Sequence, residues 1–204
     1  IYLVDRTIPM LPERLCNFIC SLRPDEEKLA FSVIFNLDDD ANIKAYRIVH
    51  TVIKSNRRYA YEEVQQLLED NGVKDGTGEP APAAPKGGYK GENADALIQL
   101  DRLAKKLRAA RFKNGAVKFD REELHFDVDE RGRPLRCYFK RSKDANKLIE
   151  EFMLLANRTV AESVGKVKKG MKPKTLPYRV HDNPDPQKLE TLREFVVKFG
   201  YKMK

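Results

Sequence analysis

The amino-acid sequence predicts an α+β fold in which antiparallel strands pack with helices. Two observations carry this. Runs rich in β-branched and aromatic residues come in neighbouring groups separated by short polar turns, as hairpins do. Four longer stretches instead repeat apolar residues at the helical period. The order (hairpin, helix, helix, meander, helix, helix) lacks the strict alternation of parallel α/β folds, and no internal repeat is present.

In chain order, residues 1–4 read as a short strand. Pro9 and Pro12 follow, three apart, and each fixes φ and biases its predecessor towards extended geometry, so this is a rigid turn. Pro12 suits the first position of a helix reaching Leu22. Residues 28–37 and 42–54 form a hairpin across Asp38-Asp39-Asp40. Residues 60–70 place Tyr61, Val64, Leu67 and Leu68 at the helical period, and Asn71-Gly72 supplies the stop.

From 74 to 93 the composition turns to glycine, proline and alanine without any period, which predicts a flexible surface insertion. An amphipathic helix over 94–112 follows, with Leu97, Leu100, Ala104 and Leu107 on its apolar face. Three short strands (116–119, 123–128, 134–140) come next, the last two joined at Asp129-Glu130-Arg131-Gly132. A long helix over 143–164 carries a stripe of Leu148, Ile149, Phe152, Met153, Leu155, Ala156 and Val160. A basic loop over 166–177 leads to a last helix, 186–199, stopped by Gly200. The organisation is thus 1–73, a 74–93 insertion, and 94–204.

Composition excludes several classes. The 204 residues are 41% hydrophobic, enough for an ordinary core rather than wholesale disorder. No apolar run approaches the roughly 20 residues of a membrane span, and no signal-peptide pattern opens the chain. The three cysteines, Cys16, Cys20 and Cys137, are odd in number and form no CxxC pair, which argues against a disulfide framework and a zinc knuckle. Cys16 and Cys20 share one face of the expected helix and read as buried small hydrophobes; reduced thiols suit the cytoplasm.

The net charge is +8, and its distribution says more than its size. Arg102, Lys105, Lys106, Arg108, Arg111, Lys113 and Lys118 form a run without an acid, and Lys166, Lys168, Lys169, Lys172 and Lys174 form another. A solvated face is the default for either run; the two together favour a polyanionic partner.

Clustered carboxylates such as Asp38-Asp39-Asp40 can hold magnesium, but adjacent turn residues point apart, so a solvated turn is expected. His50, His125 and His181 lack the spacing of a helical metal pair. Asn146 and Glu150, neighbours on one helical face, and Asn157 two turns on, bring polar groups beside an apolar stripe. Tyr2, Tyr61 and Phe119 stand at element edges, where aromatics either join the core or stack on bases. These residues alone name no enzyme.

The stretch Ile8-Pro9-Met10-Leu11-Pro12-Glu13-Arg14-Leu15, closed by Cys20-Ser21-Leu22, resembles the segment of the ribonuclease II and ribonuclease R family that follows its catalytic aspartates. Lys147-Leu148-Ile149-Glu150-Glu151-Phe152-Met153-Leu154-Leu155-Ala156-Asn157 is similar to that family's long helix, and Tyr178-Arg179-Val180-His181-Asp182-Asn183-Pro184 to the loop beyond it. The resemblance runs nearly end to end, interrupted by the 74–93 insertion, and is greatest to the bacterial ribonuclease R branch.

The resemblance implies an incomplete part of a ribonuclease II-type catalytic domain, from a processive 3′→5′ exoribonuclease that releases nucleoside 5′-monophosphates from single-stranded RNA with magnesium. Position by position, it implies that Tyr2 and Phe119 clamp the 3′-terminal bases, that Tyr61 touches the RNA nearby, and that Glu150 reaches the terminal ribose. Asn146, one turn before Glu150, is expected to join the RNA contacts. The family's metal-binding aspartates and catalytic arginine motif match no part of the chain, and Asp38-Asp39-Asp40 does not align with them. The expectation is therefore a fragment, inactive alone, whose magnesium ligands lie outside it. The parent is expected to be a monomer, and the fragment's uncovered apolar surface favours self-association. The rival reading is a non-catalytic single-stranded RNA-binding or scaffold module; a third takes the basic runs as aids to solubility.

Overall fold

The computed structural model describes residues 3, 6–117, 122–167, 169–172, 174–177 and 179–203. Its first long element is the expected hairpin. Strand β1 (Glu27–Leu37) pairs antiparallel with β2 (Ile43–Lys54), in register from Glu27↔Lys54 to Leu37↔Ile43 with an irregularity at Asn36/Leu37. Their β-branched and aromatic side chains suit a pleated surface, and Ser32 and Thr51 share a cross-strand hydrogen bond of 2.7 Å. The turn is built by Asp38, whose Oδ1 accepts from the backbone of Asp40 at 3.0 Å and Asn42 at 2.8 Å. Such a side-chain acceptor is what favours aspartate at turn starts. One face of the hairpin leaves Leu29, Phe31 and Val52 exposed.

The proline-rich segment departs from expectation. Instead of an α-helix reaching Leu22, residues Arg14–Ile19 make a single π-helical turn, closed by the five-residue bond from Cys20 N to Leu15 O at 2.9 Å. The turn buries none of its residues, so Cys16 and Cys20 are exposed free thiols rather than core. A helical face joins a core only where another element packs on it, and every residue of this turn is exposed.

Helix α1 (Tyr61–Asp70) starts where Glu63 accepts from the Ala60 N–H at 2.8 Å, half of a capping box. It ends at Asn71 and Gly72, whose φ of 83° suits glycine. Helix α2 (Ala94–Lys113) packs on it, and Leu68, Val73, Ala81 and Ile98 form a buried cluster that Val64 and Tyr89 flank. The buried stripe of α2 is Ala94, Ile98, Asp101 and Ala104; of the expected face of Leu97, Leu100, Ala104 and Leu107 only Ala104 belongs to it, and Leu100 is exposed.

Residues 74–93 contain no helix or strand, as their composition predicts, but they are not a loose tether. Ala81 lies in the core cluster. Asn71 holds Lys90 by both backbone groups, at 2.8 and 2.9 Å, and Arg102 donates to the Tyr89 hydroxyl at 2.6 Å and to Pro82 O at 3.0 Å. At Gly91 a Cβ would stand 2.9 Å from Leu67 Cδ1, so this close approach needs glycine.

Strands β3 (Glu123–Val128) and β4 (Pro134–Lys140) form a second antiparallel hairpin, turned by Asp129 Oδ1, which accepts from Arg131 N and Arg133 N. Ala116 and Val117 are not in a strand, and residues 118–121 lie outside the described residues, as do 1, 2 and 4 of the expected first strand. Helix α3 (Asp144–Gly165) follows. Two compact units divide within its last turn, residues 1–162 and 163–204, rather than at the 74–93 segment. In the second unit, α4 (Pro186–Val197) is capped by Asp185, which accepts from Gln187 N at 2.8 Å, with Pro186 at the first helical position. Among the described residues no helix is long and apolar enough to cross a membrane.

Candidate nucleic-acid interface

The first third of α3 and the second half of α2 meet through charges as well as through Ala104 and Leu148 of the apolar stripes the sequence suggests. Glu151 is only 3% exposed, although it stands where a helix border would face water. It is buried because Arg111 of α2 grips it, Nη2 at 2.6 Å and Nε at 3.1 and 3.2 Å from its oxygens. The same Nη2 reaches Glu150 Oε1 at 2.9 Å, and Arg108 Nη1 lies 3.5 Å from Glu151 and 3.8 Å from Glu150. Two arginines thus neutralise two glutamates, and the Glu151 carboxylate raises the Arg111 pKa further above its ordinary value.

Beneath this cluster lies a second. Lys105 Nζ binds Asp101 at 2.7 Å and approaches Asp144 Oδ2 at 3.3 Å, while Lys147 reaches Asp144 Oδ1 at 3.3 Å. Burial pushes the Asp101 carboxyl up, and its bond from Lys105 draws it back. These groups line a small pocket of about 60 Å³, in which Asp144 Oδ2 is buried and accepts no hydrogen bond.

Two open clefts flank these clusters. One, of about 1000 Å³, is lined by Lys105, Arg108, Arg111, Phe112 and Lys147 together with Glu150. The other, of about 600 Å³, lies between α1 and β4 and is lined by Tyr61, Arg136, Tyr138, Phe139, Lys143 and Asn146. Arg141 lines both. The sequence-predicted residues therefore divide. Tyr61 and Asn146 share the smaller cleft and Glu150 lines the larger one, whereas Tyr2 and Phe119 lie outside the described residues. Tyr61 is half exposed at the start of α1, and Asn146 Oδ1 accepts from Lys143 N at 3.1 Å at the start of α3.

The basic run behaves differently from a free positive band. Arg102 bonds Tyr89 and Pro82; Lys105, Arg108 and Arg111 face acids; Lys106 binds Asp40 at 2.8 Å. What this face offers an anion is a set of partnered cations beside aromatic rings, including Arg136, 4.8 Å from the Tyr138 ring centre. Sequence reasoning named Arg108 and Arg111 only as members of the basic run and singled out none of Glu151, Tyr138 and Phe139. The adjacent acids Glu150-Glu151 opposite an acid-free basic helix were the available signal.

Among the described residues, Asp38, Asp40 and the buried acids do not fit magnesium. Asp38 is occupied by Asn42 and by Lys44 at 2.9 Å, and the Lys44 ammonium beside it holds its carboxyl far below the usual range. Asp40 faces Lys106. The buried acids Asp101, Asp144 and Glu151 are likewise matched to cations, and among the described residues no three histidine, cysteine or acidic side chains are placed to hold a metal ion.

Known proteins share this architecture. The described fold superposes on RNase R from Mycoplasma genitalium in complex with ribose-methylated single-stranded RNA, with a TM-score of 0.71 and 28% identity over 94% of this chain and 27% of that one. The same RNase R in complex with double-stranded RNA also gives a TM-score of 0.71. In sequence, the chain is 37% identical to Ribonuclease R of Aquifex aeolicus over its whole length and 26% of that protein. It is 43% identical to DIS3-like exonuclease 2 of Schizosaccharomyces pombe over 81% of this chain and 18% of that protein. The chain thus spans about a fifth to a quarter of the length of these curated relatives. The model of the RNB domain matches residues 1–203, and with the shared α+β architecture this makes the chain a member of the RNB domain family.

Proposed function

We propose that this chain forms part of the RNA path of a processive 3′→5′ exoribonuclease, one that converts single-stranded RNA into nucleoside 5′-monophosphates. The observation that carries the proposal is the RNB domain match across residues 1–203, which contains both clefts. Their chemistry suits a single strand. Aromatic rings such as Tyr61 accept any base by stacking, worth about 1–3 kcal/mol per base in single-strand binders. In this reading Tyr2 and Phe119 clamp the 3′-terminal bases, while Tyr61 and Asn146 contact the strand nearby. Glu150 accepts hydrogen bonds from the terminal ribose hydroxyls, which favours RNA over DNA.

Magnesium-dependent hydrolysis is assigned to carboxylates other than those described, because the acids here are already matched to lysines and arginines. The 204-residue chain by itself then binds without cutting. A cytoplasmic setting is supported by the three free thiols, which an oxidising compartment tends to pair.

The test is the length of the final product made by the full reading frame that carries these residues. Tyr61→Ala and Phe119→Ala should lengthen or shorten the limit product more than they slow its formation, since stacking positions the strand end. Unchanged limit products in both variants contradict the assignment.

A further inference from the structure

We infer that Glu151 and Arg111 form a positioning pair that sets the Glu150 carboxylate for the 3′-terminal ribose. The inference rests on the reading of Glu150 as the ribose acceptor. Glu151 is the buried anchor, fixed in the α2–α3 contact. Arg111 binds it through Nε and Nη2, a forked grip that leaves the guanidinium plane little freedom. The remaining bond of Nη2, 2.9 Å to Glu150 Oε1, then orients an otherwise exposed carboxylate. Glu150 Oε2 is left 3.8 Å from Arg108 Nη1, beyond hydrogen-bond reach, and Glu150 is one of the residues that line the larger cleft. One oxygen is held and the other is left to accept a hydroxyl.

The arginines have a second effect. Adjacent glutamates by themselves repel a phosphate, but opposite Arg108 and Arg111 the four groups sum to zero charge. Glu150 therefore offers a local acceptor without a repulsive field. The charge balance survives replacing the fork by a point charge but the positioning does not, because lysine cannot bind Glu150 and Glu151 in the same plane.

The experiment measures the affinity of the full-length protein, in EDTA, for a short oligoribonucleotide and for the same oligomer ending in a 3′-terminal deoxyribose. Removing the acceptor with Glu150→Gln should reduce the ribose preference about tenfold, the size of one hydrogen bond to a charged group. Glu151→Gln and Arg111→Lys, which leave Glu150 in place, should each reduce it about threefold or more, since the same hydrogen bond is then misaligned. The ratio separates positioning from mere support. A purely structural role lowers the melting temperature and weakens both oligomers equally. A normal ratio in Glu151→Gln and Arg111→Lys alongside a lost ratio in Glu150→Gln overturns the inference. A normal ratio in Glu150→Gln instead overturns the ribose reading beneath it. Arg111→Lys is the check should Glu151→Gln fail to fold.

Discussion

Asp38 shows how a single side chain can look catalytic in sequence and be structural in space. It opens a triplet of aspartates, yet its carboxylate accepts from the Asp40 and Asn42 amides and pairs with Lys44. Lys44 and Asn42 stabilise the ionised form, so the folded-state pKa lies below the ordinary aspartate value of 3.8. The turn's contribution is therefore complete above that value and is lost as the pH falls towards the folded one. Acid titration should loosen the Asp40 and Asn42 amides in the native chain, and Asp38→Asn should abolish this pH dependence; amide chemical shifts read both. An identical acid response in the variant contradicts the assignment. Glu151 makes the converse point. A glutamate within a helical stripe reads as a solvated border, and its burial depends on Arg111, forty residues away, which no local pattern reveals. Tyr61 and Glu150 take their proposed roles only from the resemblance, and Asn146 from its place one turn before Glu150, because each cleft also draws on elements distant in sequence.

Both long hairpins and all four helices are legible in the sequence because each rests on local chemistry: periodicity, turn-forming aspartates, and Asp185-Pro186 at the start of α4. What local chemistry conceals is which face turns inward. In α2 the inward stripe includes Asp101, tolerated because Lys105 lies one turn on, so counting apolar residues alone selects a rotated face. The 74–93 segment was misread as flexible for a related reason. Glycine and proline remove regular structure, but Asn71, Tyr89 and Arg102 tie the segment to α1 and α2 by bonds distant in sequence. Limited proteolysis should accordingly leave residues 81–91 uncut under native conditions. Asn71→Ala removes both bonds to Lys90, costs about 1–3 kcal/mol through the buried backbone groups left unpaired, and should open the segment to cleavage. Rapid cutting of the unaltered chain within 81–91 contradicts the tie.

At the scale of the molecule, the sequence announces a basic chain, whereas the structure spends much of that charge on internal ion pairs. The +8 is not a uniform positive band: α2 places five cations against acids, backbone carbonyls or a tyrosine, and the two clefts combine partnered cations with aromatic rings. In the proposed reading, such a surface holds a strand by stacking and hydroxyl recognition as well as by phosphate neutralisation. Leu29, Phe31 and Val52 are exposed on the hairpin, and the chain spans about a fifth to a quarter of the length of these relatives. The central claim, that these residues serve the 3′ end of a single strand during stepwise hydrolysis, is tested most directly with 5′-end-labelled single-stranded RNA. The full reading frame, with magnesium, should convert the labelled RNA to one short labelled limit product without a ladder of intermediates, releasing nucleoside 5′-monophosphates from the unlabelled end. Release of the labelled mononucleotide at the outset, or RNA left intact, would contradict the account.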